Sequence, residues 1–159
     1  MRCYFSAQPD SEDRLRKQKR VVSFVIPDLG VVFRSQYSGS LVECGYISLL
    51  ALLSFIEKNP EIFSNQKIEI YTNIPLIVYQ INKNVFCEKE ARVLKDMAVL
   101  YKRRLSFFLN WIPEKHNKAN LSLENLPSVG FDLQLDYDNI QKTFSSDQKL
   151  NKAFPNLGF

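Results

Sequence analysis

Five short segments of the chain have the residue pattern of β-strands: they are rich in β-branched and aromatic residues, or they alternate apolar with polar positions. Between the second and third segments, the sequence Pro27-Asp28-Leu29-Gly30 places proline and glycine where a tight turn needs them. We therefore predict five strands, of which the second and third form a hairpin. The predicted strands are Met1–Ala7, Val21–Ile26, Val31–Tyr37, Lys67–Thr72 and Leu105–Ile112.

Two longer segments have helical periodicity. Leu41–Lys58 is apolar on nearly every side, which predicts a helix that is buried on more than one face. Ser40 and Glu43 form a capping box at its start, and an Asn-Pro pair follows its end. The second helix, Glu88–Ser106, has one apolar face and one polar face that includes Lys95. Shorter helices are predicted at Asn73–Ile81 and Lys118–Leu126.

The order of these elements predicts the fold class. Three strands precede the first long helix, and sequential strands favour an antiparallel meander. The last two strands are separated by helices, so they must join the sheet in parallel through right-handed crossovers. We expect an α/β fold: a mixed five-stranded sheet, with three antiparallel strands followed by two parallel strands, and helices on both faces.

The last part of the chain has a different character. Phe131–Tyr137 alternates strictly and is typical of an amphipathic strand, whereas the residues after it are polar with scattered phenylalanines. We expect one domain over residues 1–126 and a C-terminal extension over residues 127–159. The extension is predicted either to add a strand to its own sheet or to bind a partner, including a second copy of the chain.

Composition sets limits on the class of protein. The chain has 159 residues, of which 45% are hydrophobic, enough for one domain with a sizeable core. The longest apolar stretch, Leu41–Ile56, contains Glu43 and is too short for a membrane span, and no signal peptide pattern opens the chain. We expect a cytoplasmic or otherwise intracellular protein with no membrane partner. The three cysteines have no metal-ligand or redox spacing and are expected to be buried thiols.

Four stretches of the chain, in their order and spacing, resemble the ribonuclease H fold. The resemblance covers residues 1–126 and implies the mixed sheet already expected. The second stretch resembles the family's first helix, which has an acidic residue in its opening turn. The last stretch resembles the fifth strand, a histidine loop and the last helix. The stretches are Tyr4–Ala7, Leu41–Leu52, Ile70–Asn73 with Val78–Asn82, and Trp111–Pro113 with His116–Asn120.

Members of this family cut the RNA strand of an RNA–DNA hybrid with two divalent cations. Four carboxylates hold the cations, because anionic oxygens must offset the repulsion between them. Carried over to this chain, the resemblance leaves one carboxylate, Glu43 in the first helix. Ala7 stands at the first-strand position (Ser6 if the register shifts by one residue), Asn73 at the end of the fourth strand, and Asn120 in the last helix. We expect a degenerate site that holds no metal and needs no cofactor.

Each of these residues also has a purely structural interpretation. Glu43 completes the capping box and lies where the helix dipole favours an anion. Asn73 and Asn120 belong to a residue type that commonly caps helices. The resemblance implies that His116 is the flexible loop histidine near the scissile phosphate, and the alternative is an exposed loop histidine without that role.

The net charge of +4 is compatible with a nucleic-acid partner but does not require one. Two basic clusters are candidate phosphate contacts that would bind without regard to sequence. Ordinary solvation of charged side chains is the alternative for both. The first cluster is Arg14, Arg16, Lys17, Lys19 and Arg20, and the second is Lys102, Arg103 and Arg104.

The expected function is a catalytically inactive ribonuclease H-like domain that binds nucleic acid (RNA, DNA or an RNA–DNA hybrid) or protein. Two alternatives remain open. A divergent nuclease would cut RNA in hybrids with Mg²⁺ or Mn²⁺ held by relocated ligands, from Glu124 or an acid of Asp10–Asp13. A structural or protein-interaction domain would instead present an exposed apolar patch or an open sheet edge.

Overall fold

The computed structural model of the protein describes residues 1–9 and 19–120, all of which fall in the compact unit Met1–Val129. Within them, five strands and four helices follow one another in the order βββααβααβ. Three short 3₁₀ turns complete the described elements: Pro27–Leu29, Glu114–His116 and Lys118–Asn120. The strands are β1 (Arg2–Pro9), β2 (Lys19–Ile26), β3 (Val31–Ser38), β4 (Ile68–Thr72) and β5 (Phe107–Trp111). The helices are α1 (Leu41–Lys58), α2 (Pro60–Phe63), α3 (Pro75–Lys83) and α4 (Lys89–Leu105).

The strands form one mixed sheet with the order β3-β2-β1-β4-β5. β1, β2 and β3 pair antiparallel, whereas β4 pairs in parallel with both β1 and β5. The hairpin turn between β2 and β3 ends at Gly30, whose φ of 63° lies in the left-handed region that favours glycine. The predicted fold class is confirmed, including the change from antiparallel to parallel pairing.

The two faces of the sheet carry different side chains. Phe5 and Phe24 are register partners on the face that packs against α1, where Phe55 of that helix lies 5.8 Å from Phe24 between ring centroids. Ser6 and Ser23, the next pair along, point to the opposite face and meet the turn Lys118–Asn120. The face against α1 is therefore aromatic and aliphatic, whereas the opposite face carries small polar groups that are buried beside that turn.

Helix α1 is the centre of the core, as its all-round apolar sequence predicts. It packs on β1 and β2 with one side and on α3 and α4 with others. Gly45 allows the close approach to α3, because a Cβ placed there would lie 2.5 Å from Cδ1 of Ile77 and 2.7 Å from Cδ1 of Ile74. Among the described residues, no helix is long and apolar enough to cross a membrane.

Two local features differ from the sequence prediction. A further helical turn, α2, follows α1, because Pro60 is favourable at the first position of a helix even though it ends the preceding one. Lys95 was predicted on the polar face of its helix, yet it is only 6% exposed. Its Nζ donates to the carbonyl oxygen of Val85 in the loop before α4, so a backbone acceptor takes the place of solvent.

The predicted burial of the three cysteines is confirmed, and all three are free thiols. Burial raises the pKa of Cys3 to about 12 and that of Cys44 to about 11. An unfolded chain releases these protons near the ordinary thiol pKa, whereas the folded chain holds them to a higher pH.

We therefore expect the free energy of unfolding to be independent of these thiols at neutral pH and to fall as the pH rises from about 9 towards 11. Urea unfolding at intervals over this range measures the effect. In the Cys3→Ala, Cys44→Ala double variant the decline should be smaller, and an identical decline in both proteins would contradict the assignment.

Candidate functional site

The candidate site lies at the edge of the sheet where β1 and β4 end. Because these neighbouring strands are parallel, their carboxyl ends meet at one edge, and residues in or after them come close together. Ser6 lies in the second half of β1, and Asn73 directly follows β4. The chain returns to this edge after β5, in the turn Lys118–Asn120.

Four side chains at this edge form a continuous hydrogen-bonded group, which we call the amide cluster: Ser6, Asn73, Asn117 and Asn120. The hydroxyl of Ser6 donates to Oδ1 of Asn120. Oδ1 of Asn73 accepts two amide N–H groups, from Nδ2 of Asn117 at 2.7 Å and from Nδ2 of Asn120 at 3.3 Å. The cluster carries no formal charge.

Asn117 is the member that joins the cluster to the backbone. It is buried, and its Nδ2 also donates to the carbonyl oxygen of Phe5 in β1 at 2.9 Å. Its Oδ1 accepts the backbone N–H of Ala119 at 3.0 Å, the side-chain turn that asparagine commonly makes at the start of a helical segment. Sequence analysis did not single out Asn117 as a site residue. The sequence feature that could have indicated it is its position directly before a short helical segment.

The structure brings Ser6, rather than Ala7, to Asn120. Successive residues of a strand point to opposite faces, and Phe5 and Ala7 share the face that packs against helix α1. The first-strand residue that contacts Asn120 is thus Ser6, the one obtained when the register shifts by one. Gln8, on the same face as Ser6, donates through Nε2 to the backbone oxygen of Asn120 at 3.3 Å.

Glu43 makes the predicted helix cap. Its backbone N–H donates to Oγ of Ser40 at 3.1 Å. Its carboxylate lies against the turn before α1, since a Cβ placed on Gly39 would be 3.2 Å from Oε2 of Glu43. Ser40 thus supplies the capping side chain, while the Glu43 carboxylate takes part at the start of the helix only through its position against Gly39.

His116 lies in the 3₁₀ turn Glu114–His116, where its backbone N–H donates to the carbonyl oxygen of Pro113 at 2.9 Å. Its side chain is exposed. His116 directly precedes Asn117 of the amide cluster in the sequence, but its side chain is exposed whereas that of Asn117 is buried.

The donor set does not fit a pair of divalent cations. Within residues 1–9 and 19–120, no three His, Cys, Asp or Glu side chains come together in a group that could hold a metal ion. The amide oxygens of Asn73 and Asn120 already accept hydrogen bonds from within the cluster. A cation would have to displace those donors, and it would gain neutral oxygens where hard dications prefer carboxylates.

Comparison with solved structures finds relatives of the fold. The chain superposes on ribonuclease H1 from Halobacterium salinarum with a TM-score of 0.58 and 13% identity, covering 74% of this chain and 89% of that one. The LC11 ribonuclease H1, solved in complex with an RNA/DNA hybrid, gives 0.59 and 14%, covering 74% and 88%. The N-terminal ribonuclease H domain of a Mycobacterium tuberculosis protein gives 0.54 and 16%, covering 73% and 85%. The chain has the ribonuclease H-like fold.

At these identities the likeness shows the fold, and it confirms the resemblance noted in the sequence. Comparison with protein-family models finds no match to this ribonuclease H-like chain, and comparison with curated protein sequences finds none either.

The described members of the two basic clusters lie at opposite edges of the ribonuclease H-like sheet. Arg20 is the register partner of Pro9 at the end of β1, which is the edge of the amide cluster. Lys102–Arg104 lie in the last turn of α4, just before β5 begins at the other edge. The five residues of β5 span about 16 Å from one of these edges to the other. The two clusters therefore do not form one continuous patch.

The side chains of the second cluster also contact their own chain. Nζ of Lys102 donates to Oδ1 of Asn82 at 2.9 Å, and burial lowers the pKa of this lysine. Arg104 forms an ion pair with Glu57 of α1 at 3.0 Å and lies 4.7 Å from the ring centroid of Tyr101. These contacts direct Lys102 towards α3 and Arg104 towards α1.

Several predicted residues lie outside the part of the chain that the structure describes. They include three members of the first basic cluster (Arg14, Arg16 and Lys17), both sources of relocated ligands (Asp10–Asp13 and Glu124), most of the predicted last helix, and the extension over residues 127–159. Of the first cluster, Lys19 is exposed, and Arg20 donates through Nε to the carbonyl oxygen of Gly39 at 3.4 Å.

Proposed function

We propose that this chain is a ribonuclease H-like binding module that does not hydrolyse RNA by the two-metal route, and that its partner is a nucleic acid. The observation that carries the first part is the amide cluster. Its side chains carry no formal charge, and the amide oxygens of Asn73 and Asn120 already accept hydrogen bonds within the protein, so no cation is needed to balance them.

The charge balance at the site disfavours two cations whatever the exact geometry. Two divalent cations a few ångströms apart repel strongly, and carboxylates at all four positions would offset that repulsion. Here the hydroxyl of Ser6 and the amides of Asn73 and Asn120 supply dipoles but no charge. One carboxylate, Glu43, is left to balance both cations, and it lies against Gly39.

The choice of nucleic acid as partner is supported by the fold and by the charge. A structural neighbour has been solved with an RNA/DNA hybrid, and the net charge of this chain is +4. Binding through lysine and arginine releases counterions from the phosphate backbone, so the affinity should fall steeply as salt is added.

The test is a titration with a labelled RNA–DNA hybrid, with and without Mg²⁺ or Mn²⁺, in which binding and cleavage are followed in the same samples. We expect binding that weakens with salt and no cleavage with either metal. An active ribonuclease H serves as the control for substrate and conditions.

Cleavage by the wild-type chain that disappears in Glu43→Gln would contradict the proposal and favour a divergent nuclease. Cleavage that persists in Glu43→Gln and stays with the chain on further purification would also contradict the proposal, through relocated ligands, whereas cleavage that separates from the chain would identify a contaminating enzyme. Absence of binding to any nucleic acid at low salt would leave the fold intact and remove the nucleic-acid partner.

A further inference from the structure

The outward face of α3 is unusually apolar for the surface of a short helix. Its inward face buries Ile77, Gln80 and Ile81. On the outward face, Leu76 is 45% exposed and Tyr79 is 55% exposed. Lys83 lies one turn beyond Tyr79 on the same face, so the apolar outward face of α3 is followed by a cation.

Trp111 of β5 and Tyr79 of α3 lie at nearly the same level along the strand direction. Nδ2 of Asn82 donates to the carbonyl oxygen of Leu109 at 2.9 Å, which fixes the level of α3 against the strand. The helix begins at the carboxyl edge of the sheet and runs back along β5, so Tyr79, three residues before Asn82, is about 4.5 Å nearer that edge. Trp111, two residues after Leu109, is about 6.6 Å nearer the same edge.

The side chain of Trp111 shares its face of the sheet with Leu109, the face on which the helices pack. It is nevertheless 53% exposed, because α3 leaves its outer part uncovered. Two large aromatic side chains, each more than half exposed, therefore stand at about the same level, one on α3 and one on β5. We call Leu76, Tyr79 and Trp111 the aromatic edge.

Cations flank the aromatic edge at both ends. Lys83 lies at the end of the aromatic edge that is nearer the start of β5. Lys102 is held at the same end by its hydrogen bond to Asn82. Lys115 follows Trp111 by four residues towards the other end, directly after the acidic Glu114. The surface therefore combines exposed rings with a positive surround, which matches a partner that has flat apolar groups and a negative backbone.

We propose that the aromatic edge binds single-stranded nucleic acid, with unpaired bases stacked on Tyr79 and Trp111 and phosphates near Lys83 and Lys102. A duplex hides the faces of its bases within its own stack, so exposed rings gain little from it, whereas every unpaired base offers a face. The inference rests on the proposed nucleic-acid partner, but it does not depend on whether the chain hydrolyses RNA. In this proposal Lys102 faces the ligand, whereas Arg104 does not.

The chain offers a direct test, because Trp111 is its one tryptophan. Tryptophan fluorescence is followed while the full chain is titrated with a 12-nucleotide single-stranded RNA of mixed sequence. Matched titrations use the RNA–DNA hybrid of the same sequence and inorganic polyphosphate. We expect saturable quenching by the single strand, weaker quenching by the hybrid, and none by polyphosphate, which has the charge but no bases.

Variants separate stacking from charge. Tyr79→Ala should weaken single-strand binding about 10-fold, the effect of losing one stacked base, and Tyr79→Phe should restore it. Lys83→Gln should reduce the slope of log affinity against log salt by about one. Phe108→Ala is the matched control, because Phe108 is 57% exposed on the same strand but points to the opposite face of the sheet.

Three results would overturn the inference. They are absence of quenching by the single strand at low salt, equal quenching by polyphosphate, and equal loss of affinity in Phe108→Ala and Tyr79→Ala. If the hybrid binds but neither the hybrid nor the single strand quenches Trp111, the proposed function stands and the inference about the aromatic edge fails. If the single strand quenches but the hybrid is cleaved, the aromatic edge stands and the inactive site does not.

Discussion

Replacing Asn117 by Asp should lower the free energy of unfolding by about 3–5 kcal/mol at pH 7, although the two side chains have the same shape. Nδ2 of Asn117 donates both to the carbonyl oxygen of Phe5 and to Oδ1 of Asn73. In the Asp variant an oxygen faces each of these oxygens at the same distances, and a charge is introduced where the side chain is buried.

The matched control is Asn73→Asp. Oδ1 of Asn73 accepts from two amide groups, and a carboxylate at the same place accepts from both of them with greater strength. We expect this variant to remain within about 1 kcal/mol of wild type. Urea unfolding of the two variants side by side measures the difference.

Equal destabilisation by the two substitutions would contradict the donor and acceptor assignment in the amide cluster. Equal tolerance would show that Asn117 is not the member that joins the cluster to β1. Because both variants gain the same charge within one hydrogen-bonded group, net charge cancels in the comparison.

Much of the fold follows from local patterns in the sequence. The bounds predicted for α1 match the structure, because a capping serine before the helix and an Asn-Pro pair after it act on neighbouring residues. The alternation predicts β4 to within one residue, whereas β5 is shorter than predicted because Leu105 still belongs to α4 and Ser106 ends that helix. Lys95 could not be placed in this way, since its acceptor is the carbonyl of Val85, which only the packing of the preceding loop brings within reach.

The candidate site divides in the same way. The positions of Asn73 and Asn120 came from the resemblance, but the choice between Ser6 and Ala7 required the pleat of β1. The separation of the basic clusters was implicit in the chain order, because the last turn of α4 leads straight into β5 and therefore lies at the edge where that strand begins. The spacing of the basic residues in the sequence does not show that the clusters are separated, whereas the order of strands and helices does.

Restoring carboxylates to the amide cluster should make the stability of the fold depend on divalent cations. In Asn73→Asp, Asn120→Asp, two carboxylates would stand where Nδ2 of Asn120 now donates to Oδ1 of Asn73 at 3.3 Å. The variant also loses the donation from Asn120 to the carbonyl oxygen of Glu114. In EDTA we expect it to be about 3 kcal/mol less stable than wild type, from repulsion and from unpaired acceptors.

Adding Mn²⁺ or Mg²⁺ should recover much of that loss, because a ligand that binds only the folded state stabilises it by about 2.7 kcal/mol at one hundred times its dissociation constant. Thermal unfolding of the double variant, measured in EDTA and over a series of metal concentrations, gives the coupling directly. Adding Ser6→Asp should steepen the response to metal if the fold accepts the larger side chain, and the double variant tests the argument even if it does not.

The control is the effect of metal on the unfolding temperature of the wild-type chain. Its cluster has neutral donors whose oxygens are already paired, so its unfolding temperature should not change with Mn²⁺ at concentrations that stabilise the double variant. The single variant Asn73→Asp should respond weakly, because one added carboxylate does not balance a dication. A metal response in wild type as large as in the double variant would mean that carboxylates elsewhere in the chain reach the site, and the proposal of a module without two-metal hydrolysis would then fail.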